Sequence, residues 1–129
     1  MCPQKNRGGM SEKVLWTNSV LDNEFSGQTV TLSETIRNYD YVRAYFRATR
    51  SINQTFSILF PVNEFIYANS QTNTFKPSVD FNLNTGRYDR CLMYVSDTSI
   101  NISNSYQVNH ETTNNNVLIP IQITGVKIS

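Results

Sequence analysis

Charge is what this sequence has least of. Only 16% of its residues are charged, against roughly a quarter in an ordinary soluble domain, and the excess of cations is a single unit. A net field that weak does not gather nucleic acid or an anionic membrane, so any electrostatic partner must be met locally. Histidine is nearly absent as well. His110, beside Glu111 in a polar stretch, stands alone, which leaves no His-paired nucleophile and no His-rich metal site to propose. Gly-rich phosphate loops and Cys-x-x-Cys pairs are missing too. The expectation is a chain without catalytic residues, metal or cofactor. Cys2 and Cys91 are too few for a disulfide framework, and both are read as free thiols. No apolar run approaches the ~18 residues of a membrane span. Residues 1–13 also hold no apolar segment of the kind a secretion signal needs, so synthesis in a cytosol without membrane insertion is expected.

In place of charge the chain carries Asn, Ser and Thr, which number 16, 13 and 13 of its 129 residues. All three suit turns and sheet surfaces better than helix interiors. Hydrophobic residues make up 39% and aromatics 12%, enough for the core of one domain of this size without covalent staples. The polar, basic stretch 1–13, broken by Pro3 and the Gly8–Gly9 pair, reads as a flexible arm. Met1, Cys2 and Pro3 at its tip are candidates for anchoring on a larger assembly. The domain proper is expected over residues 14–129.

Within it the pattern is that of strands. Val14 to Thr17 is an apolar cluster with the only tryptophan. Residues 27–33 alternate Val30 and Leu32 with Thr29 and Thr31, and residues 34–39 allow one helical turn. Phe56, Ile58, Phe60 and Val62 share a face in the next run, residues 64–68 read as its short continuation, and Val79, Phe81 and Leu83 share another. Residues 84–86 form a turn that joins this run to 87–96 in a hairpin. Short strands follow at 99–103 and 106–108. In the last run Val117, Ile119, Ile121 and Ile123 share a face, while Val126 and Ile128 take the other parity, which places a bulge or bend at Gly125. Eight or nine strands with turn signals every ~8 to 12 residues predict an all-β fold, an antiparallel β-sandwich of jelly-roll-like type.

The stretch around which these strands are arranged is Asp40 to Arg50, DYVRAYFRATR. Val42, Ala44, Phe46 and Ala48 point one way and read as core, while Tyr41, Arg43, Tyr45 and Arg47 point the other. Tyr88 and Arg90 repeat the Tyr and Arg pairing in a second strand. Such rows stack on sugar rings or bases, and they also fill subunit interfaces. They therefore serve ordinary packing, an oligomer interface or a ligand platform. Asp80, Asp89 and Asp97 stand isolated in sequence, and the Asn-rich loops suit either turn chemistry or saccharide recognition.

Two segments carry a family resemblance. The opening KVLWTNSVLDNEFSGQTVTLSETIRNYDYVRAYFR and the closing LIPIQITGVKIS together resemble a terminal module of bacteriophage virion proteins. In that module a Leu-Trp-Thr-Asn opening precedes a phenylalanine, a Gln-Thr strand and a Tyr-Asp strand, and an Ile-Pro pair is followed by an apolar strand and a Gly-Val or Gly-Ile-Lys ending. The resemblance implies a β-sandwich of the tail-fibre, receptor-binding or head-fibre type, located in the virion and built as a homotrimer. It implies contacts with other virion proteins or with host cell-surface polysaccharide, and no enzymatic residues. With only a short arm ahead of it, the module also fits a capsid decoration or head-fibre protein, and a monomeric carbohydrate-binding module is the alternative from another class. Within the trimer reading, Tyr41, Arg43, Tyr45, Arg47, Tyr88 and Arg90 are the interface candidates, ahead of a ligand platform.

Overall fold

Alternating apolar side chains need a partner layer, and in the computed structural model, which describes residues 9–71, 76–109 and 112–129, each of two sheets supplies it to the other. Nine strands are described: β1 (Met10–Thr17), β2 (Gln28–Thr31), β3 (Tyr41–Thr49), β4 (Thr55–Pro61), β5 (Ser78–Leu83), β6 (Gly86–Ser96), β7 (Ser99–Ile102), β8 (Tyr106–Gln107) and β9 (Val117–Ile128). One sheet runs β1-β9-β3-β4 and the other β2-β7-β6-β5, with β8 paired to β6, and every pairing is antiparallel. The chain crosses between sheets at β1–β2, β2–β3, β4–β5 and β8–β9, as a jelly roll does. The β3–β4 hairpin and the β5–β6–β7 meander keep its middle within one sheet. Val42, Ala44, Phe46, Phe60 and Ile123 from the first sheet meet Val30, Val79, Leu92, Ile100 and Ile102 from the second in a single core.

β3 buries the even-numbered face that the sequence predicts, with Val42, Phe46 and Ala48 at 0% exposure. Three other expectations are revised. β1 starts at Met10, whose partner is Ile128, so the sheet begins four residues before Val14. Met1, Cys2 and Pro3 lie outside the described residues. Residues 64–68 are helical: α1 spans Val62–Gln71. Pro61 ends β4, and Val62 and Phe65 then bury at a helical spacing, with Ile66 partly buried beside them. Phe65 packs on Phe60 and Tyr94 with ring centroids 4.8 and 5.9 Å apart.

The third revision concerns Gly125, which pairs in regular register with Val42 and Lys13. The irregularity lies earlier, where Tyr45 opposes Gln122 and Phe46 opposes Pro120, leaving Ile121 bulged. Asn18 caps the bulge, its backbone N–H donating to the Ile121 carbonyl and its amide to that of Pro120. Glycine is needed at 125 because the Tyr39 ring lies on it, and a Cβ there would sit 2.5 Å from the ring carbons. Gly125→Ala should cost about 1 kcal/mol, since a half-buried ring can swing aside. A double-mutant cycle with Tyr39→Ala measured by denaturant unfolding checks this, and additive losses would show that the ring is not the obstacle.

Candidate functional site

The odd-numbered side chains of β3 face outward, and the register sets their neighbours. Across β4 they oppose Pro61, Leu59, Ser57 and Thr55; across β9, Arg43 opposes Thr124 and Tyr45 opposes Gln122. The row is not a free ladder. Glu12 reaches from β1 across β9, and a single oxygen, Oε2, accepts from two hydroxyls and pairs with one guanidinium. The Tyr45 hydroxyl donates to it, Thr124 Oγ1 donates at 2.6 Å, and Arg43 Nε lies 3.3 Å away. The Arg43 guanidinium also lies 5.9 Å from the Tyr45 ring centroid. Burial alone would raise the Glu12 carboxyl, but the hydrogen bonds from Thr124 and Tyr45 and the Arg43 charge outweigh it and hold the group below its usual range. Burial and then the Glu12 contact push the Tyr45 phenol up. Arg43 and Arg47 keep only 24% and 18% of their side chains exposed, so both belong to the folded monomer's own surface network.

At its far end this row meets a shallow cleft of about 500 Å³ lined by Asp22, Thr49, Arg50, Ser51 and Asn116. Arg47 Nη2 donates to the Arg50 carbonyl at 2.8 Å, and its Nη1 is 3.8 Å from Asp22 Oδ1. Arg50 donates through Nε to the Asp22 carbonyl at 2.7 Å and through Nη1 to Asn116 Oδ1 at 2.9 Å. Thr49 Oγ1 accepts from the Ser51 and Ile52 backbone and so closes the β3–β4 hairpin.

Tyr88 and Arg90 do not join the outer row. They lie on the inward face of β6, at 4% and 0% exposure. Arg90 donates to four backbone carbonyls, those of Val117 at 3.3 Å, Ser103 at 2.7 Å, Phe25 at 2.8 Å and Asn115 at 3.3 Å, and lies 5.4 Å from the Phe25 ring centroid. Burial lowers its guanidinium to about 10, so it stays charged at neutral pH. The role is a clamp on three chain segments. The Asn-rich loops follow turn chemistry: Asn115 accepts from the Ser105 backbone and donates to Asn104, Asn104 accepts from Gly27, and Asn114 accepts from Asn116.

None of the three aspartates is isolated. Asp80 and Asp89 oppose each other across β5 and β6, with Arg87 3.6 Å from Asp80. Asp97 is 2.7 Å from Arg37 and accepts from the Tyr94 hydroxyl at 2.6 Å. His110 and Glu111 fall outside the described residues. Among the described residues no three His, Cys, Asp or Glu side chains converge as a metal site, no helix is long and apolar enough to cross a membrane, and Cys91 is a half-buried thiol on the outer face of β6. The sequence reading missed Asp22, Arg50 and Asn116. The one local signal was Arg50, the last residue of the organising stretch, placed by its parity on the core side. No family model matches the chain, and no curated protein matches it.

Proposed function

We propose that the chain is a non-enzymatic structural module of a bacteriophage virion that assembles as a homotrimer through the outer face of the β1-β9-β3-β4 sheet. The observation that carries the assembly is the composition of that face. Tyr41, Arg43 and Tyr45 run down its centre, Val14 and Leu59 flank them at 46% and 48% exposure, and the one carboxylate among them, Glu12, already neutralises Arg43. Interfaces are rich in Tyr, Met and Arg and poor in unpaired charge at their cores. A face whose cation is paired within its own subunit can be covered by another copy without stranding a charge, the usual penalty for burying one. Around Arg43 the composition is neutral and self-compatible, with the Arg47 end of the row lying beside the cleft, and this favours a copy of the same chain over a charged partner at the centre of the face. The virion location and the threefold state rest on the sequence resemblance, as do the contacts with other virion proteins. The head-fibre and capsid-decoration placements share this chemistry. A platform on which sugars stack is less well served, because the Tyr45 hydroxyl and Arg43 are already engaged.

Mass in solution is the test. The chain should run as a trimer at micromolar concentration by light scattering, and Leu59→Glu, a change at an exposed position, should shift it to monomer with unchanged melting of the isolated fold. A wild-type monomer under those conditions sinks the assembly reading. Locating the protein in an intact particle by electron microscopy tests its place.

A further inference from the structure

We propose that the cleft formed by Asp22, Arg50, Ser51 and Asn116 binds an acidic saccharide, with the sugar carboxylate seated on the Arg50 guanidinium. Guanidinium carries five N–H donors in a planar fork. Arg50 spends one on the Asp22 carbonyl and one on Asn116 Oδ1, which leaves three with no acceptor among the described residues. Asn116 accepts through Oδ1 and donates nothing from Nδ2 to the described residues, so two further N–H groups lie beside them. Arg47 adds a second guanidinium at the rim, held by the Arg50 carbonyl, and its Nε is buried without a hydrogen-bond partner among the described residues. Against these two cations stands one carboxylate, Asp22, 98% exposed and 3.8 Å from Arg47, a separation at the limit of ion pairing. The corner is therefore cationic by one charge and has unspent donors. A carboxylate takes two N–H groups of a guanidinium fork in parallel, the strongest neutralisation available to it.

The rest of the lining selects the kind of anion. Thr49, Ser51 and Asn116 bring hydroxyl and amide groups, and no aliphatic or aromatic residue lines the cleft to anchor a peptide side chain. Asp22 brings acceptors that a carboxylate or phosphate has no use for, whereas ring hydroxyls donate to them. A hydroxyl-rich ring with one carboxylate satisfies both halves of the site, and about 500 Å³ lies within the range of small-ligand sites. Every residue involved belongs to one subunit, so the site stands independently of the assembly reading.

The experiment is a titration of the isotope-labelled full chain, followed by NMR, with a short oligogalacturonate, its methyl-esterified neutral counterpart and a glutamate-rich peptide. The acidic oligosaccharide should shift the Arg50 side-chain, Ser51 and Asn116 signals at low salt, lose affinity as salt rises, and outbind both comparators by about tenfold or more. Arg50→Met should abolish the shifts. Because Arg50 also ties the corner together, Asp22→Asn supplies a second variant that leaves the backbone contact in place. It removes the one repelling charge near the guanidinium while keeping an amide oxygen that accepts from a ring hydroxyl, and oligogalacturonate should bind a few-fold more tightly to it. No shifts with the acidic oligosaccharide, equal shifts from the peptide, or Asp22→Asn binding no more tightly than wild type would each overturn the proposal.

Discussion

Arg90→Met should lower the melting temperature by roughly 10–20 °C, a loss of about 3–5 kcal/mol in a chain of this length. The side chain is fully buried, and no carboxylate among the described residues pairs with it. Four carbonyl dipoles alone hold the charge, and they come from the β1–β2 loop, the end of β7 and the approach to β9. Methionine fills most of the volume but donates nothing, so the Val117, Ser103 and Phe25 carbonyls lose the guanidinium at once, while that of Asn115 keeps the Phe25 N–H. An unmet buried acceptor costs about 1–3 kcal/mol, and partial entry of water keeps the total below the sum. Replacing a buried ion pair with apolar residues can be neutral, but here the acceptors belong to the backbone and stay whatever the side chain becomes. Arg90→Lys should recover only part of the loss, since one ammonium cannot reach three segments as a fork does. Thermal melting reads the outcome. A variant within about 3 °C of wild type would mean that the clamp carries little of the fold's stability.

The position of Arg90 also shows where sequence reasoning stops. In β3 the two parities differ sharply, Val, Ala, Phe and Ala against Tyr, Arg, Tyr and Arg, so a period of two suffices to assign the buried face. In β6 the outward parity, Asp89, Cys91, Met93 and Val95, is no more polar than the inward one, Tyr88, Arg90, Leu92 and Tyr94. Nothing local says which faces in, and the resemblance to the β3 row pointed outward. Strand number and the sandwich were legible because each hairpin is a local event marked by its turn residues. α1 was hidden because Val62, Phe65 and Ile66 follow a strand directly, with Pro61 as the only mark of the change. The Asp22–Arg50–Asn116 corner was illegible for another reason. Its contacts join residues 28 and 66 positions apart, and only the closed sandwich brings those loops to one end.

Glu12→Ala should cost about 2 kcal/mol at neutral pH, and that cost should shrink in acid. One Glu12 oxygen serves Tyr45, Thr124 and Arg43, so truncation leaves the Tyr45 hydroxyl without its acceptor, Thr124 with only a long contact to the Arg43 carbonyl, and a half-buried guanidinium without its counter-charge. The folded state holds this carboxyl below its ordinary 4.5. A depressed carboxylate contributes stability that is fully present above the unfolded value and is lost as pH falls through the folded one. Wild type should therefore lose stability below about pH 4.5 while Glu12→Ala loses less, and the two denaturation midpoints should converge. Glu34 adds to the same slope. Hydrogen bonds from Lys13, Asn38 and Tyr39 and the Lys13 charge lower it to about 2 against the burial that opposes them, and its 2.6 Å pair with Lys13 ties β1 from the other side. Lys13–Glu34 remains intact in Glu12→Ala, so that variant should keep a residual acid slope that Glu34→Gln reduces, with Asp97, also lowered by its Tyr94 and Arg37 contacts, contributing to the remainder. Assembly supplies the second readout. Without Glu12 the outer face carries an uncompensated Arg43, so the proposed trimer should weaken, whereas Gly125→Ala, with a loss of stability but no change of charge on that face, should leave it whole. Equal dissociation in both variants would assign the effect to general loosening of the sheet, and dissociation confined to Glu12→Ala ties the neutral Tyr and Arg face to the contact between copies.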